Sequence, residues 1–274
     1  MKIHAYYWNP TRLIRHRVSA ALRNRGNALR IGNAGDLYAV DFIEYVYGHP
    51  PVHSEQSGPR ILTVGSVAHK AHFADVICGI GVKDPATLLK HQNVSVFGVR
   101  GPRTLDVLSG LRWDLSNCRF SYDPGLLAHE IYGPWEVRDA GRPAWLPHYR
   151  ERQDVRRRVP PNVDLIDVDG HPRDVVTQIR NASLVVSSSL HGLIFAYAVG
   201  TPCAFVRPAT KESLFKYLDF FESIGATHVR IHESFADVDL ASPDVVEGKV
   251  GVADISLKPL MPSLEDLTAL GVFR

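Results

Sequence analysis

The sequence predicts an α/β protein built as two open, Rossmann-like domains that face each other across a cleft. Three observations carry that prediction: short apolar, β-rich runs ending in Gly or Ser, helical patterns that begin directly after them, and a break in composition near mid-chain. With 274 residues, 45% of them apolar, the chain can bury one large core or two smaller ones, which excludes a disordered polypeptide.

Taken in order, Lys2 to Trp8 reads as the first strand. Ile31-Gly32-Asn33-Ala34-Gly35-Asp36 is a glycine turn feeding the helical pattern Leu37 to Tyr47. Arg60 to Ser66 and Ser95 to Arg100 are β-rich runs, the first ending in Gly-Ser and the second closed by Gly101-Pro102 before a helix over Arg103 to Ser109. Ser121 to Gly125 is the last loop of this half. From Tyr132 to Pro161 the composition turns to Pro, Trp, Arg and Glu, with a charged run over Tyr149 to Arg158, and only Ala144-Trp145-Leu146 reads as a strand. The α/β rhythm then resumes with strands over Val163 to Val168, Ser183 to Ser187 and Pro202 to Arg207. Helices are expected over Arg173 to Arg180, Leu190 to Val199 and Leu214 to Phe221. The expected organisation is an N-terminal domain over 1–135, a connection over 136–160 and a C-terminal domain over 161–274. Ligands are expected at the carboxyl ends of the strands.

Lys and Arg total 31 against 29 Asp and Glu, a formal charge of +2. That balance excludes a nucleic-acid-wrapping surface and confines any anion site to a local cluster. Three widely spaced cysteines without a CxxC pair signal neither a disulfide framework nor a thiolate metal site, and the 13 histidines form no metal-ligand spacing. The opening residues carry no continuous apolar run, and no later stretch is long enough to span a membrane. The expectation is a soluble, cytoplasmic protein, and peripheral contact with a membrane-bound assembly is compatible with it.

The most informative stretch runs from Leu184 to Pro202. A buried strand leads into Ser187-Ser188-Ser189, and a helix begins with His191 in its first turn and Gly192 behind it. Serines there are suited to capping, and the uncommitted amides and positive end of the helix attract an anion. The helix terminus disfavours a charged imidazole, whereas a bound dianion restores it, so His191 is suited to become an acid when substrate is present. The bland alternative is a histidine that only caps the helix.

These residues resemble the polysaccharide pyruvyl transferases, whose C-terminal half carries Ser-x-x-His-Gly, an Ala-rich helix and Gly-x-Pro. Here those positions are Ser188, His191, Gly192, Ala196, Ala198, Gly200 and Pro202. The resemblance extends to Asn33-x-Gly35-Asp36, Val99-Arg100-Gly101-Pro102, Asp123-Pro124-Gly125-Leu126-Leu127 and Leu146-Pro147-His148-Tyr149, in family order. It implies a glycosyltransferase type-B-like fold with the acceptor on the N-terminal side and the donor on the C-terminal side. It also implies transfer of pyruvate from phosphoenolpyruvate to a sugar as a ketal, with no cofactor and no metal.

By the same resemblance, His191 is the expected acid, while Arg100 and Lys211 are the expected cations for phosphoenolpyruvate. Asn33, Gly35, Asp36, Ser188, Ser189, Gly192 and His148 are candidates for substrate contact. Asp36 is read equally as a group for the acceptor hydroxyl or as a helix N-cap, and His148 more as a structural hinge than as a substrate contact. Ser189 stands where some members carry Arg, and Arg207 is a candidate to compensate. A nucleotide-sugar glycosyltransferase, for which Glu212 is an imperfect ribose ligand, and a non-catalytic carbohydrate-binding scaffold are the competing readings.

Overall fold

A computed structural model of the chain describes residues 1–9, 29–55, 58–87, 89, 93–136, 140–156 and 158–274. The strands form two sheets that are parallel throughout. In the first, β1 (His4–Ala5), β2 (Val52–His53), β3 (Ile61–Leu62), β4 (Val76–Cys78), β5 (Ser95–Val99) and β6 (Phe120–Ser121) take the order β2-β1-β3-β4-β5-β6. In the second, β7 (Ala144–Leu146), β8 (Asp164–Leu165), β9 (Val185–Ser187), β10 (Cys203–Val206) and β11 (Ile231–His232) take the order β11-β10-β9-β7-β8. Interior strands of such sheets are covered on both faces, which is why β4, β9 and β10 are buried runs rather than alternating ones.

The helices start and stop where local chemistry directs. Helix α1 (Ala34–Tyr47) begins at Asn33, whose side chain accepts from the Gly35 N–H, and ends at Gly48, left-handed at φ 70° with its N–H on the Glu44 carbonyl. Helix α2 (Pro102–Gly110) places Pro102 in its first turn, where the missing N–H costs nothing. The shorter α3 (Ala128–Tyr132) and α4 (Arg152–Arg156) follow, then α5 (Pro172–Asn181), α6 (Leu190–Ala198), α7 (Phe215–Ser223) and α8 (Leu264–Ala269).

The sequence-based elements differ from these in instructive ways. The segment read as an interdomain connection, 136–160, carries β7, an interior strand of the second sheet lying between β8 and β9. Its residues 137–139 and 157 lie outside the described residues. The strand expected over Lys2 to Trp8 pairs only at its centre, and β2, β4, β11 and α8 carry no matching expectation. The chain end, assigned with 161–274, returns to the first sheet: His4 N–H donates to the Val272 carbonyl at 3.0 Å, and Lys2 N–H to the Arg274 carbonyl.

The two halves share one apolar core. A single buried cluster runs from Ile3, Phe42 and Ile61 of the first half to Ile194, Phe205 and Tyr217 of the second. Tyr38 of α1 meets Phe195 of α6 edge-on, with centroids 5.3 Å apart. Polar fastenings add to this. Asp169 accepts the N–H groups of Arg30, Ile31 and Gly32 at 2.9 to 3.0 Å, and the loop before α1 is thereby fixed to the second sheet. Among the described residues no helix is long and apolar enough to cross a membrane.

Candidate active site

The carboxyl ends of β1, β3, β7 and β9 open on a cleft of about 370 Å³, where open parallel sheets present their loops. Asn33 and Asp36 from the start of α1, Ser66 after β3, His148 and Tyr149 after β7, Ser189 and His191 at the start of α6, and Lys216 of α7 all line it. Sequence segments far apart in the chain thus meet at one place.

His191 is buried, 9% exposed, and its Nε2 has no hydrogen-bond partner among the described residues. Its ring is held by contact: a Cβ on Gly35 would overlap Nδ1 and Cγ of the imidazole, so the ring packs on the Gly35 backbone, and it stacks on Phe195 at 5.9 Å. Burial, with Arg100 and Lys216 nearby, lowers its pKa to about 3 and keeps the resting imidazole neutral. Gly192 is likewise required by close approach, since a Cβ there would overlap Ser187 Oγ and crowd Leu146.

The serines do a different job from the capping expected of them. Ser189 is the N-cap residue of α6, but its side chain makes no cap bond, and the first-turn amides carry no side-chain ligand among the described residues. Ser187 Oγ accepts from the Ser189 N–H and donates to the Leu146 carbonyl. Ser188, 1% exposed, does not line the cleft. Its Oγ donates to Glu151 Oε2 at 2.5 Å and accepts from the His148 N–H. The other Glu151 oxygen accepts from the Ala209 N–H, so this buried carboxylate joins the loops after β7, β9 and β10.

Asp36 is not a cap. Asn33 has that place, and the Asp36 carboxylate, 8% exposed, has no hydrogen-bond or ion-pair partner among the described residues. Burial raises its pKa to about 7, opposed by Lys216 and assisted by Asp123. A Cβ on Gly65 would sit 2.7 Å from Asp36 Oδ1, so the bare turn after β3, left-handed at φ 98°, makes room for it.

Two of the three residues singled out for catalysis stand apart from the cleft. Arg100 is 0% exposed and bonded at each of its three nitrogens: Nε donates to Asp219 Oδ2 at 2.9 Å, Nη1 to Ser66 Oγ at 2.6 Å and Nη2 to the Val82 carbonyl at 2.8 Å. It touches the cleft only through Ser66. Lys211 is exposed in a left-handed turn at φ 54° and lines no part of it. Arg207 pairs with Glu233 at 3.0 Å and also points elsewhere.

Of the described cations that line the cleft, Lys70, Lys83, Arg150 and Lys216, the buried one is Lys216, 7% exposed, which the sequence reading passed over. A lysine in the first turn of an otherwise aromatic amphipathic segment, Phe215–Ser223, was its available signal. Burial lowers the pKa of Lys216, while Glu212 opposes the shift. The Glu212 side chain is 4% exposed and holds three cations: Arg150 at 3.0 Å, Lys83 at 3.4 Å and Lys216 at 3.4 Å. Burial alone would raise its pKa, but Lys216, His148, Lys83 and Arg150 together hold it below the ordinary value. Already committed to three cations, it is poorly placed to bind ribose hydroxyls. His148 is lowered to about 3 by burial and then by Lys216, and its Nδ1 is unpartnered among the described residues. Those residues contain no cluster of His, Cys, Asp or Glu suited to a metal ion.

Two parallel sheets whose strand ends converge on a buried histidine, a lysine and a carboxylate unpaired among the described residues define an α/β protein with a polar cleft. The chain belongs to the polysaccharide pyruvyl transferase family, whose sequence signature matches residues 67–209. It is 30% identical over 192 residues to the uncharacterised protein L143 of Acanthamoeba polyphaga mimivirus, covering 64% of each chain. It is 25% identical over 211 residues to the succinoglycan biosynthesis protein ExoV of Rhizobium meliloti (strain 1021), covering 72% of this chain and 63% of the relative. The chain therefore spans somewhat under two thirds of these curated relatives. A solved structure of a functionally uncharacterised protein from Klebsiella pneumoniae subsp. pneumoniae NTUH-K2044 aligns at a TM-score of 0.47 and 14% identity, over 85% of this chain and 93% of that one.

Proposed function

We propose that this protein transfers pyruvate from phosphoenolpyruvate to two hydroxyls of a sugar in a polysaccharide or its precursor, forming a ketal and releasing phosphate in a glycosyltransferase type-B-like cleft. The observation that carries the reading is the neutral, unpartnered Nε2 of His191 at the uncapped start of α6, beside Lys216 and in the same cleft as the unpaired Asp36. Family membership supplies the reaction class. That the Rhizobium relative is a succinoglycan biosynthesis protein supports a polysaccharide setting.

The donor is anionic at two ends. The first-turn amides of α6, Ser189 and Lys216 are suited to one anionic group, and Lys83 and Arg150 to the other. Binding a multiply charged anion beside a neutral imidazole raises its proton affinity, so His191 enters the reaction protonated. It gives that proton to the methylene carbon, and the enol phosphate becomes an oxocarbenium-like centre. A sugar hydroxyl adds to this centre and loses its proton to the Asp36 carboxylate. The C–O bond to phosphate then breaks, the leaving phosphate taking the proton held by Asp36, and the second hydroxyl closes the ketal as its proton passes to the now neutral His191. An Asp36 carboxyl near pH 7 is populated in both forms, as a group that accepts and returns protons requires.

The test is a reaction of the full chain with phosphoenolpyruvate and sugar acceptors, following free phosphate and acceptor mass together. Equimolar phosphate and ketal, both lost in His191→Ala, support the reading. Transfer from a nucleotide sugar instead, with phosphoenolpyruvate inert, overturns it.

A further inference from the structure

We propose that Trp8 and Tyr149 form a pyranose-binding subsite at the mouth of the cleft, with Trp8 as the platform for the ring's C–H face. The proposal deepens the transferase reading and rests on it for calling this sugar the acceptor. Both rings line the cleft, and both are only half-buried, whereas Tyr6, Tyr7 and Tyr38 are buried. They come from opposite halves: Trp8 follows β1 and Tyr149 follows β7.

The ring centroids are 5.1 Å apart at an interplanar angle of 53°, so the two rings are tilted and not stacked face to face. The Arg150 guanidinium lies 5.3 Å from the Tyr149 ring centroid and its Nε donates to the Tyr149 hydroxyl, while the His148 ring lies 4.6 Å away, so among the described residues Trp8 is the less crowded of the two rings. A pyranose suits such a site because it offers apolar C–H groups to an aromatic face and hydroxyls to polar groups at its edge. Asn33 and Asp36 line the same cleft, and the Asp36 carboxylate is unpaired among the described residues. A planar nucleobase would stack on the same Trp8 face, which makes uridine the competing probe.

Saturation-transfer NMR on the full chain tests this, with methyl β-D-galactopyranoside, methyl β-D-glucopyranoside, methyl α-D-mannopyranoside and uridine as probes, each with phosphoenolpyruvate present. Saturation is expected on the ring C–H protons of at least one glycoside, falling about fivefold in Trp8→Leu and largely retained in Trp8→Phe. Tyr149→Leu, expected to weaken the same signal, stands in if Trp8→Leu fails to fold. The rise in melting temperature caused by phosphoenolpyruvate should be the same in the wild type and both Trp8 variants. Equal saturation in Trp8→Leu and wild type overturns the proposal. So does Trp8-dependent saturation of uridine alone, or silence from every glycoside while phosphoenolpyruvate still stabilises the protein. Trp8-dependent glycoside binding without stabilisation by phosphoenolpyruvate upholds the subsite and removes the donor reading instead.

Discussion

Arg100, at the end of β5, donates from Nε to Asp219 Oδ2 on α7 at 2.9 Å, and both side chains are 0% exposed. The pair joins the two halves in the dry interior, and Asp219 also accepts from the Thr104 N–H and hydroxyl. Removing Asp219 strands a buried guanidinium, so Asp219→Ala should cost about 3–5 kcal/mol in urea unfolding. Because the charges are coupled, Arg100→Met with Asp219→Leu should cost clearly less than the two single changes added together. Additive losses would show that the pair is not a coupled fastening.

Acid and base sensitivities should oppose each other. His148 and His191, lowered to about 3, contribute stability that is present above the unfolded value near 6.5 and is lost as pH falls toward 3. Asp36, raised to about 7, and Asp123, raised to about 6, act in reverse: their burial is least costly below the unfolded value near 4, and the cost grows as pH rises through the folded values. Between about pH 4 and 6.5 these terms offset one another. Asp36→Asn removes one opposing term, so its stability should fall more steeply on acidification than the wild type's, by up to ~1.4 kcal/mol per pH unit. Urea midpoints at pH 7.5, 6 and 4.5 measure that slope, and parallel curves would contradict the Asp36 assignment.

Helices were far more legible in the sequence than the site was. Residues 172–198 announce themselves through Pro172 at a helix start, the apolar Val185–Ser187 and a serine-to-helix junction, all of them local chemistry. The strand β4 was missed because three apolar residues carry no period. The helix before β4 is only a short turn at Ala68–Lys70, and nothing local separates such a strand from a buried loop. Local pattern cannot say which way a side chain points, and that decided the cations. Arg100 and Lys211 each follow a strand, as anion ligands often do, but one is drawn inward by Asp219 and the other is carried outward by a left-handed turn.

That contrast gives a direct comparison. Lys216→Gln should raise the KM for phosphoenolpyruvate about tenfold or more, the loss expected for a buried charge-assisted bond. Lys211→Gln should stay within about twofold, as a solvated surface lysine does. Steady-state kinetics on both variants decide between them, and the reverse ranking would place the donor outside the cleft described above.

The position of His191 rests on the absence of a side chain at Gly35. Gly35 is the second residue of α1, where alanine is a better helix former than glycine, so Gly35→Ala carries no backbone penalty and reports crowding alone. Its new methyl would occupy the space of the imidazole, and overpacking of that kind costs about 1–3 kcal/mol. Gly110 near the end of α2 is the control: a Cβ there meets nothing within 4 Å, so Gly110→Ala should be neutral or stabilising by up to about 1 kcal/mol. With the ring displaced, general acid catalysis goes with it, and kcat in Gly35→Ala should fall about 10²-fold or more, close to His191→Ala. Phosphoenolpyruvate binding should survive in both variants, because the α6 amides and Lys216 remain. A folded Gly35→Ala enzyme with wild-type kcat would mean that His191 does not act from the place where Gly35 holds it.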